Sequence, residues 1–359
     1  MLTSLFAAGT AIYSLFLSSV IAALTLAKDK SRSCQNPISI IIAARNEAAN
    51  LPRLLKSLKE LDYPKELFEI ILVSDHSTDE TIQVLAQYKD IEQLRFLDFT
   101  TELTGLIGKK AAIQYGIMHA KYDILAFTDA DCEVPSTWLK AISSRFSEDT
   151  DYLLSYSVMR RKAGSSLMRL KNFERSVYYA LAAAGLFYRR PITSSACNMA
   201  YRKSLFEKSG AFEGIGHLKS GDDDLLLMKM MPNIRKASFC ADPNAQVTSY
   251  DGTDRSQHHQ TNIRRASKFR YFPLWLKALA AFIFVYFISF YLMIFTHYKE
   301  LPYLWILLKT ALELILSTLI LAKAKRLYLL VLYPIQILIF PLQFVYYAIR
   351  GSLGKYRWK

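Results

Sequence analysis

A chain of 359 residues is long enough for one sizeable domain with extra segments or for two ordinary domains. Composition favours the first, because apolar residues reach 52% and their excess is concentrated at the two ends. The formal charge of +14 admits nucleic acid, an anionic membrane surface or a phosphorylated substrate; much of it sits beside apolar runs, where anionic lipid head groups account for it without nucleic acid.

From Met1 to Ala27 there is no charged side chain, and the run is long enough to cross a hydrocarbon layer before it stops at "KDKSR". It lacks the basic n-region and short h-region of a cleavable signal peptide. It is therefore expected to be an anchor, residues 1–30, with Lys28, Lys30 and Arg32 holding the following domain in the cytoplasm at the inner plasma membrane. Cys34, Cys132, Cys197 and Cys240 form no close pair and no metal-type spacing, which suits a reducing compartment.

Residues 31–270 alternate strand and helix patterns and are expected to form the cytoplasmic catalytic domain. "ISIIIAA" fits a strand buried on both faces, and "EAANLPRLLKSLKEL" follows with helical spacing at Leu51, Leu54, Leu55 and Leu58. "FEIILVSD" is a second strand, and "STDETIQVLAQY" opens like a helix capped by Ser77 or Thr78. "LRFLDF", "GKKAAIQYGIMHA" and "DILAFTDAD" continue as strand, helix and strand. This order predicts a mostly parallel sheet with helices on both faces. "SSLMRLKNFERSVYYALAAAGLFYRRP" has an apolar stripe at Leu167, Leu170, Phe173, Val177 and Leu181, flanked by Arg169, Lys171 and Arg175. The stripe either packs on the catalytic domain or lies on the inner membrane face and presents an acceptor.

The tail, residues 271–359, carries apolar runs at about 273 to 296, 301 to 322 and 327 to 349, expected to be two or three transmembrane or re-entrant helices. Arg264, Arg265, Lys268 and Arg270 place the start of the first inside, and Lys323, Lys325 and Arg326 the end of the second. A third span would carry Lys355, Arg357 and Lys359 outward, so Pro334 and Pro341 are expected to break it into a hairpin that returns them. Lys309 and Glu313, four apart, can pair on one helical face, either as a neutralised packing pair or as a functional one.

Parallel sheets bind ligands at the carboxyl ends of their strands, and there three separate loops deliver Glu47, Asp75, Asp129 and Asp131. Each has a plainer reading: a turn residue, a first-turn acid, or a cap for "STWLKAISSRF". Together they suit a divalent metal bridging to a diphosphate, since Mg²⁺ takes one or two carboxylates plus phosphate oxygens. Lys109, following Gly108 at a helix start, is either a second source of positive charge for the same phosphates or a solvated lysine.

The blocks "ISIIIAARNEAANLPRLLKSL", "ILVSDHSTDET", "GKKAAIQYGI", "FTDADCEVPSTWL", "SACNMAYRKSLFEKSGAF" and "SGDDDLLLMKM" occur in the order seen in membrane-bound family 2 glycosyltransferases. The resemblance covers residues 37 to about 270 and implies an α/β GT-A nucleotide-diphospho-sugar transferase fold flanked by transmembrane helices. It implies that Ala43, Glu47 and Asp75 hold the nucleoside, with Asp75 at the base. Asp129 and Asp131 fall on the D-x-D motif, Asp131 at the position that binds Mg²⁺ or Mn²⁺. Asp222 falls on the general base, with Asp223 a competitor one residue away, and Asn198 lies near the meeting of donor and acceptor.

Three departures stand out. Gly221 replaces the usual acid before Asp222, and Ser74-Asp75-His76 replaces Asp-Asp-Gly, which bears on the choice of nucleotide. The Q-x-x-R-W of processive members is met only by Arg264, with Thr261 for Gln and Arg265 for Trp. The resemblance therefore implies an inverting transfer from a nucleotide-diphosphate sugar, UDP-linked ahead of GDP-linked, to a lipid-linked or glycan acceptor among membrane lipids. A processive polysaccharide synthase and a non-catalytic subunit of an export complex are the alternatives.

Overall fold

The apolar runs of the middle region become strands in the computed structural model, which describes residues 2–27, 31–32, 34–160, 166–250, 255–296 and 302–353. In chain order these are β1 (Ile38–Ala44), β2 (Phe68–Asp75), β3 (Leu94–Phe99), β4 (Ile124–Phe127), β5 (Cys132–Glu133), β6 (Thr150–Ser155), β7 (Ser157–Arg160), β8 (Met199–Arg202), β9 (Lys236–Cys240) and β10 (Val247–Tyr250). The α-helices are α1 (Leu2–Leu26), α2 (Leu51–Lys59), α3 (Thr81–Ala86), α4 (Lys109–Met118), α5 (Trp138–Ser143), α6 (Ser166–Phe187), α7 (Lys203–Lys208), α8 (Asp224–Met230), α9 (Arg255–Ser267), α10 (Leu274–Thr296), α11 (Tyr303–Lys323) and α12 (Tyr333–Ser352). They fall into two units: Ala27–Met168 with Gly185–Asp251, and Met1–Leu26 with Arg169–Ala184 and Gly252–Lys359.

The first unit is built on a seven-stranded sheet of order β3-β2-β1-β4-β8-β6-β9. β8 pairs antiparallel with both β4 and β6, while the other pairings are parallel, so β8 alone runs against the rest. A second sheet has three strands in the order β5-β10-β7. The unbroken isoleucines of β1 follow from burial on both faces. Ile38, Ile40 and Ile42 join Leu51, Leu54, Leu55 and Leu58 of α2 and Trp138, Leu139 and Ile142 of α5 in one core. Ile41 looks the other way, where α4 comes so close that a Cβ on Gly116 would stand 3.0 Å from the Ile41 Cγ2 and 3.1 Å from the Val73 Cγ2. That contact fixes the start of α4, and with it Lys109, relative to the ends of β1 and β2.

Among the described residues, the second unit contains four stretches long and apolar enough to cross a membrane: Thr3–Leu26, Leu274–Thr296, Tyr303–Lys323 and Leu327–Ser352. The chain is thus suited to membrane association. Inside this unit Lys309 is 0% exposed, its Nζ 2.8 Å from Glu313, whose Oε1 also accepts from the Tyr13 hydroxyl at 3.0 Å. The Lys309 ammonium lies 4.8 Å from the centre of the Phe290 ring. Among apolar helices, a charge persists only when neutralised in this way. Phe173 of α6 packs with Leu321, Leu329 and Tyr333, so at this point the α6 stripe faces the apolar helices.

The expected hairpin at Pro334 and Pro341 does not form. A 3₁₀ turn, Leu327–Leu332, leads into α12 without interruption. Pro334 sits in the first turn, where a missing N–H costs nothing. Pro341 lies inside the helix, and near the ladder bond it forfeits, the Tyr291 hydroxyl donates to the Leu338 carbonyl. Lys28 and Lys30, together with Lys355, Arg357 and Lys359, on which the orientation argument leaned, lie outside the described residues.

Candidate active site

The carboxyl ends of β1 and β2 turn outward into loops that are stitched to each other. Asn46, in the left-handed region at φ 55°, accepts at its side-chain oxygen from Thr78 N at 2.7 Å, and its own N–H donates to Ser77 Oγ at 3.2 Å. Glu47 N donates to Thr81 Oγ1 at 3.0 Å, and Ala48 N to Asp79 Oδ2 at 3.1 Å. Asp79 Oδ1 accepts from Thr81 N at 3.0 Å, so the turn before α3 is secured by Asp79 and not by the Ser77 or Thr78 cap that the sequence suggested. Glu47 does not begin a helix either. Its carboxylate accepts from Asn50 Nδ2 at 2.6 Å, and α2 starts only at Leu51.

Ala43, half-buried, lies near the end of β1 opposite Val73, and Asp75 closes β2 with its carboxylate almost wholly enclosed. On the other side of β1, β4 ends at Phe127, and Asp129 and Asp131 follow directly. Neither caps a helix: α5 starts after Thr137 without a side-chain cap bond. Lys109 Nζ donates to Asp129 Oδ1 at 2.6 Å and stands 3.1 Å from Asp222 Oδ2. Burial opposes the Lys109 charge, but the pull of Asp129 and then of Asp222 outweighs it and raises its pKa well above the usual lysine value. One ammonium therefore joins the D-x-D loop to the loop before α8.

That second loop is shaped by two features. Lys110, buried behind Lys109, donates its three protons to the carbonyls of Ile215 at 2.9 Å, Leu218 at 2.5 Å and Ser220 at 2.7 Å. Gly221 then turns at φ 96°, where a Cβ would fall 2.5 Å from Leu225 Cδ1. No acid fits in this turn, which is the physical reason for that departure from the family pattern. Asp222 comes out facing Lys109, whereas Asp223 is the N-cap of α8 and accepts from Asp224 N at 2.7 Å.

Asp131 is the other enclosed acid. Burial and then the charge of Asp129 push its pKa up to about 7, and Cys132 Sγ donates to its Oδ1 at 3.4 Å. Asp129, Asp131 and Cys132 offer ligand atoms within 4.8 Å of one another. The Cys132 thiol is held protonated: hydrogen bonding with Cys197 and burial both push its pKa well up. The usable donors are hard carboxylate oxygens, a set that fits Mg²⁺ or Mn²⁺ and not a soft metal.

One expected site residue of this unit has its side chain engaged elsewhere. Asn198 is 0% exposed, accepts from Trp138 Nε1 at 3.0 Å and donates to the carbonyls of Tyr156 at 2.8 Å and Ala245 at 2.7 Å. Its amide is spent on joining four segments, so its side chain does not face an acceptor. Arg264 belongs to the other unit, in the last turn of α9. Lys110 and Asn46, which the sequence analysis did not single out, carry the loop architecture instead.

Residues 39–210 match the family described as Glycosyl transferase family 2. They form a family 2 glycosyltransferase domain. The chain is 34% identical over 113 residues to a β-monoglucosyldiacylglycerol synthase of Nostoc sp., a match covering 31% of this chain and 24% of that protein. It is 25% identical over 224 residues to the poly(ribitol-phosphate) β-N-acetylglucosaminyltransferase TarS of Staphylococcus aureus, covering 62% of this chain and 37% of that one. The matches thus span well under half of these curated relatives. Among solved structures, the mannosyltransferase PcManGT from Pyrobaculum calidifontis, in complex with GDP-Man and Mn2+, superposes with a TM-score of 0.58 at 18% identity, covering 93% of this chain and 96% of that one. The likeness shows the fold, a GT-A-type mixed sheet with helices, flanked here by the apolar helices.

Proposed function

We propose that this chain is a membrane-associated, inverting glycosyltransferase that moves a hexose from a nucleotide-diphosphate sugar to a lipid-linked or glycan acceptor, with its catalytic part in the cytoplasm at the inner membrane. The observation that carries the proposal is the bridge of Lys109 between Asp129 and Asp222, at 2.6 Å and 3.1 Å, beside the enclosed Asp131. A cation held between the acid of a D-x-D loop and a second, separately presented acid is what a transfer from a diphosphate requires: countercharge for the leaving group next to a proton acceptor. The family resemblance, the synthase and TarS matches, and the fold of the GDP-Man and Mn2+ complex support the donor class and a divalent metal.

In this reading Asp75 and Ala43 receive the nucleoside, and Glu47 belongs to the loop that closes over it. Asp129 and Asp131 would hold the metal, which, when bound, supplies Lewis-acid stabilisation of the departing diphosphate. Lys109, released from the carboxylates by the incoming phosphates, adds its charge to theirs. Asp222, freed from Lys109, takes the proton of the acceptor hydroxyl as that oxygen forms its bond to the anomeric carbon and the carbon–phosphate oxygen bond breaks. A single displacement from the face opposite the diphosphate inverts the anomeric configuration. Residues 1–30 and 271–359 serve as membrane anchors that keep the catalytic part at the lipid surface.

Nucleotide release by detergent-purified protein, offered UDP- and GDP-sugars with Mg²⁺, Mn²⁺ or chelator, tests this directly. Metal-dependent release from a nucleotide sugar is expected. Turnover unaffected by chelation would overturn the metal assignment, and no release from any donor with any acceptor lipid or glycan would overturn the activity.

A further inference from the structure

We propose that α12, although long and apolar enough to cross a membrane, does not cross one: it lies in the plane of the leaflet on the catalytic side, with one apolar face set among the acyl chains of anionic lipid. The inference rests on the membrane-associated reading above and is independent of the donor and the metal.

Two polar helices mark where that leaflet begins. α6 leaves the first unit after Met168 and rejoins it at Gly185, so both of its ends lie on the side of the membrane that holds the catalytic residues. Such a helix does not cross, and its Arg169, Lys171, Glu174 and Arg175 call for water or head groups. β10 ends at Tyr250 and α9 begins at Arg255, too few residues to traverse about 30 Å even fully extended. In the sequence of α9, RSQHHQTNIRRAS, only Ile263 and Ala266 are apolar, which keeps it out of hydrocarbon. α6 and α9 therefore belong to the same water boundary.

α12 meets α6 along its first half and α9 along its second. Gln336 Nε2 donates to the Leu170 carbonyl at 3.2 Å, and the Phe340 ring lies 6.2 Å from that of Tyr178. Further on, the Tyr347 ring is 5.6 Å from that of His259, and a Cβ on Gly351 would stand 2.4 Å from that of Ala266. A crossing helix would separate Gln336 and Gly351 by about 22 Å in depth, most of the hydrocarbon layer, and only one of the two could then meet the catalytic-side boundary. Both do.

The two faces of α12 fit this placement. Ile335, Leu338, Leu342 and Ile349 recur at helical spacing and are each about half exposed, while Tyr333, Gln336 and Gly351 on the other face are buried. Lys323, Lys325 and Arg350, which bracket the helix, are exposed and have no acidic partner among the described residues, so the complementary surface is an anionic one. With α12 in the plane, α1, α10 and α11 are the spans, and the chain after Ser352, "LGKYRWK", stays on the side favoured by Lys323, Lys325 and Arg326. A fourth span would carry it across against that charge.

The test is labelling by a membrane-impermeant thiol reagent in sealed vesicles whose catalytic unit faces the medium. The full chain is used with Cys34→Ser, since its other three cysteines are buried. Single cysteines at Lys89→Cys in the catalytic unit, Lys323→Cys at the end of α11 and Tyr303→Cys at its start calibrate the sides. Ser352→Cys is expected to label with Lys89→Cys and Lys323→Cys, and Tyr303→Cys only after the vesicles are opened. Protection of Ser352→Cys together with Tyr303→Cys would show a fourth span and overturn the inference. Nitroxides attached at Ile335→Cys, Leu342→Cys and Ile349→Cys in liposomes containing phosphatidylglycerol should report one common depth, about 5–10 Å into the boundary of head groups and acyl chains; a Leu342 label deeper than the other two also overturns it. The same labels should sit shallower in phosphatidylcholine alone, and equal depth in both lipids overturns the choice of an anionic partner. Labelling of Tyr303→Cys in sealed vesicles removes the spans themselves, and with them the membrane-associated reading.

Discussion

Asp131 ties metal affinity to pH in a way that can be worked from the structure. Burial and the neighbouring Asp129 charge push its pKa up to about 7, whereas an unfolded aspartate ionises near 4. A metal must displace the proton, so affinity scales with the ionised fraction. At about pH 6 roughly one Asp131 in eleven is ionised, and at about pH 8 roughly ten in eleven, so Mn²⁺ should bind about tenfold more weakly at the lower pH. The linkage has a second consequence with a definite sign. Without metal, the folded protein keeps a proton on Asp131 that the unfolded chain has already lost above about pH 4, so this group's contribution to stability declines as pH rises towards about 7. Metal should therefore raise the melting temperature more at about pH 8 than at about pH 6. Calorimetric titration of Mn²⁺ into detergent-solubilised protein, with thermal denaturation in parallel, reads both effects. Equal affinities at the two pH values, or a pH slope retained in Asp131→Asn, would refute the argument.

Other positions separate roles that the sequence left joined. Asp222→Asn should keep nucleotide binding but lower transfer by about 10³-fold or more, while Asp223→Ala should retain activity and lose about 1 kcal/mol of stability from the α8 cap. Steady-state transfer assays beside melting curves distinguish them, and unchanged turnover in Asp222→Asn excludes the base role. Gly221→Ala puts a Cβ 2.5 Å from Leu225 Cδ1 at a φ of 96°, so it should cost about 1–3 kcal/mol and depress transfer more than nucleotide affinity, because Asp222 is displaced; a melting temperature equal to the parent's would contradict this. In the apolar unit, Lys309→Met leaves Glu313 without its cation and should destabilise by about 3–5 kcal/mol, with most of the loss recovered in Lys309→Met/Glu313→Leu. Additive losses in the double variant, measured by thermal denaturation in detergent, would show that the pair acts through something other than mutual neutralisation.

The sheet and the acids at its edge were readable because each rests on a local pattern that the fold reinforces. Unbroken isoleucines mark β1 as buried on both faces, and an aspartate after such a strand has little to do but face a ligand or a cation. What stayed unreadable depends on contacts between distant segments. Lys109 and Lys110 are adjacent and chemically identical. Only the placement of α4 against Ile41 and Val73 sends one to the carboxylates of Asp129 and Asp222 and the other to three carbonyls of the loop before Gly221. Asn198 was a site candidate only through the family resemblance, yet its partners come from Trp138, Tyr156 and Ala245, which no local pattern connects. Pro341 reads as a helix break by its own chemistry, and the continuous course of α12 follows from its surroundings, not from the residue.

The same comparison explains why Asp222, and not Asp223, is the acid proposed to act as base. Three consecutive aspartates, Asp222, Asp223 and Asp224, are equivalent by composition, but a helix start consumes two of them: Asp223 accepts from Asp224 N at 2.7 Å and Asp224 from Leu225 N at 2.8 Å. Gly221, by turning at a φ closed to other residues, rotates the remaining carboxylate towards Lys109. The acid that the family pattern would have at position 221 is thus given up to aim the one at 222. In the proposed reaction, a lysine would keep that acid paired until phosphate oxygens compete for it. If Asp222 is held by Lys109, Lys109→Met should leave it enclosed and unpaired and lower stability, and adding Asp222→Asn to that variant should restore part of the loss. Melting curves of the single and double variants read this, and no recovery in the double variant would mean that another group holds Asp222 in place.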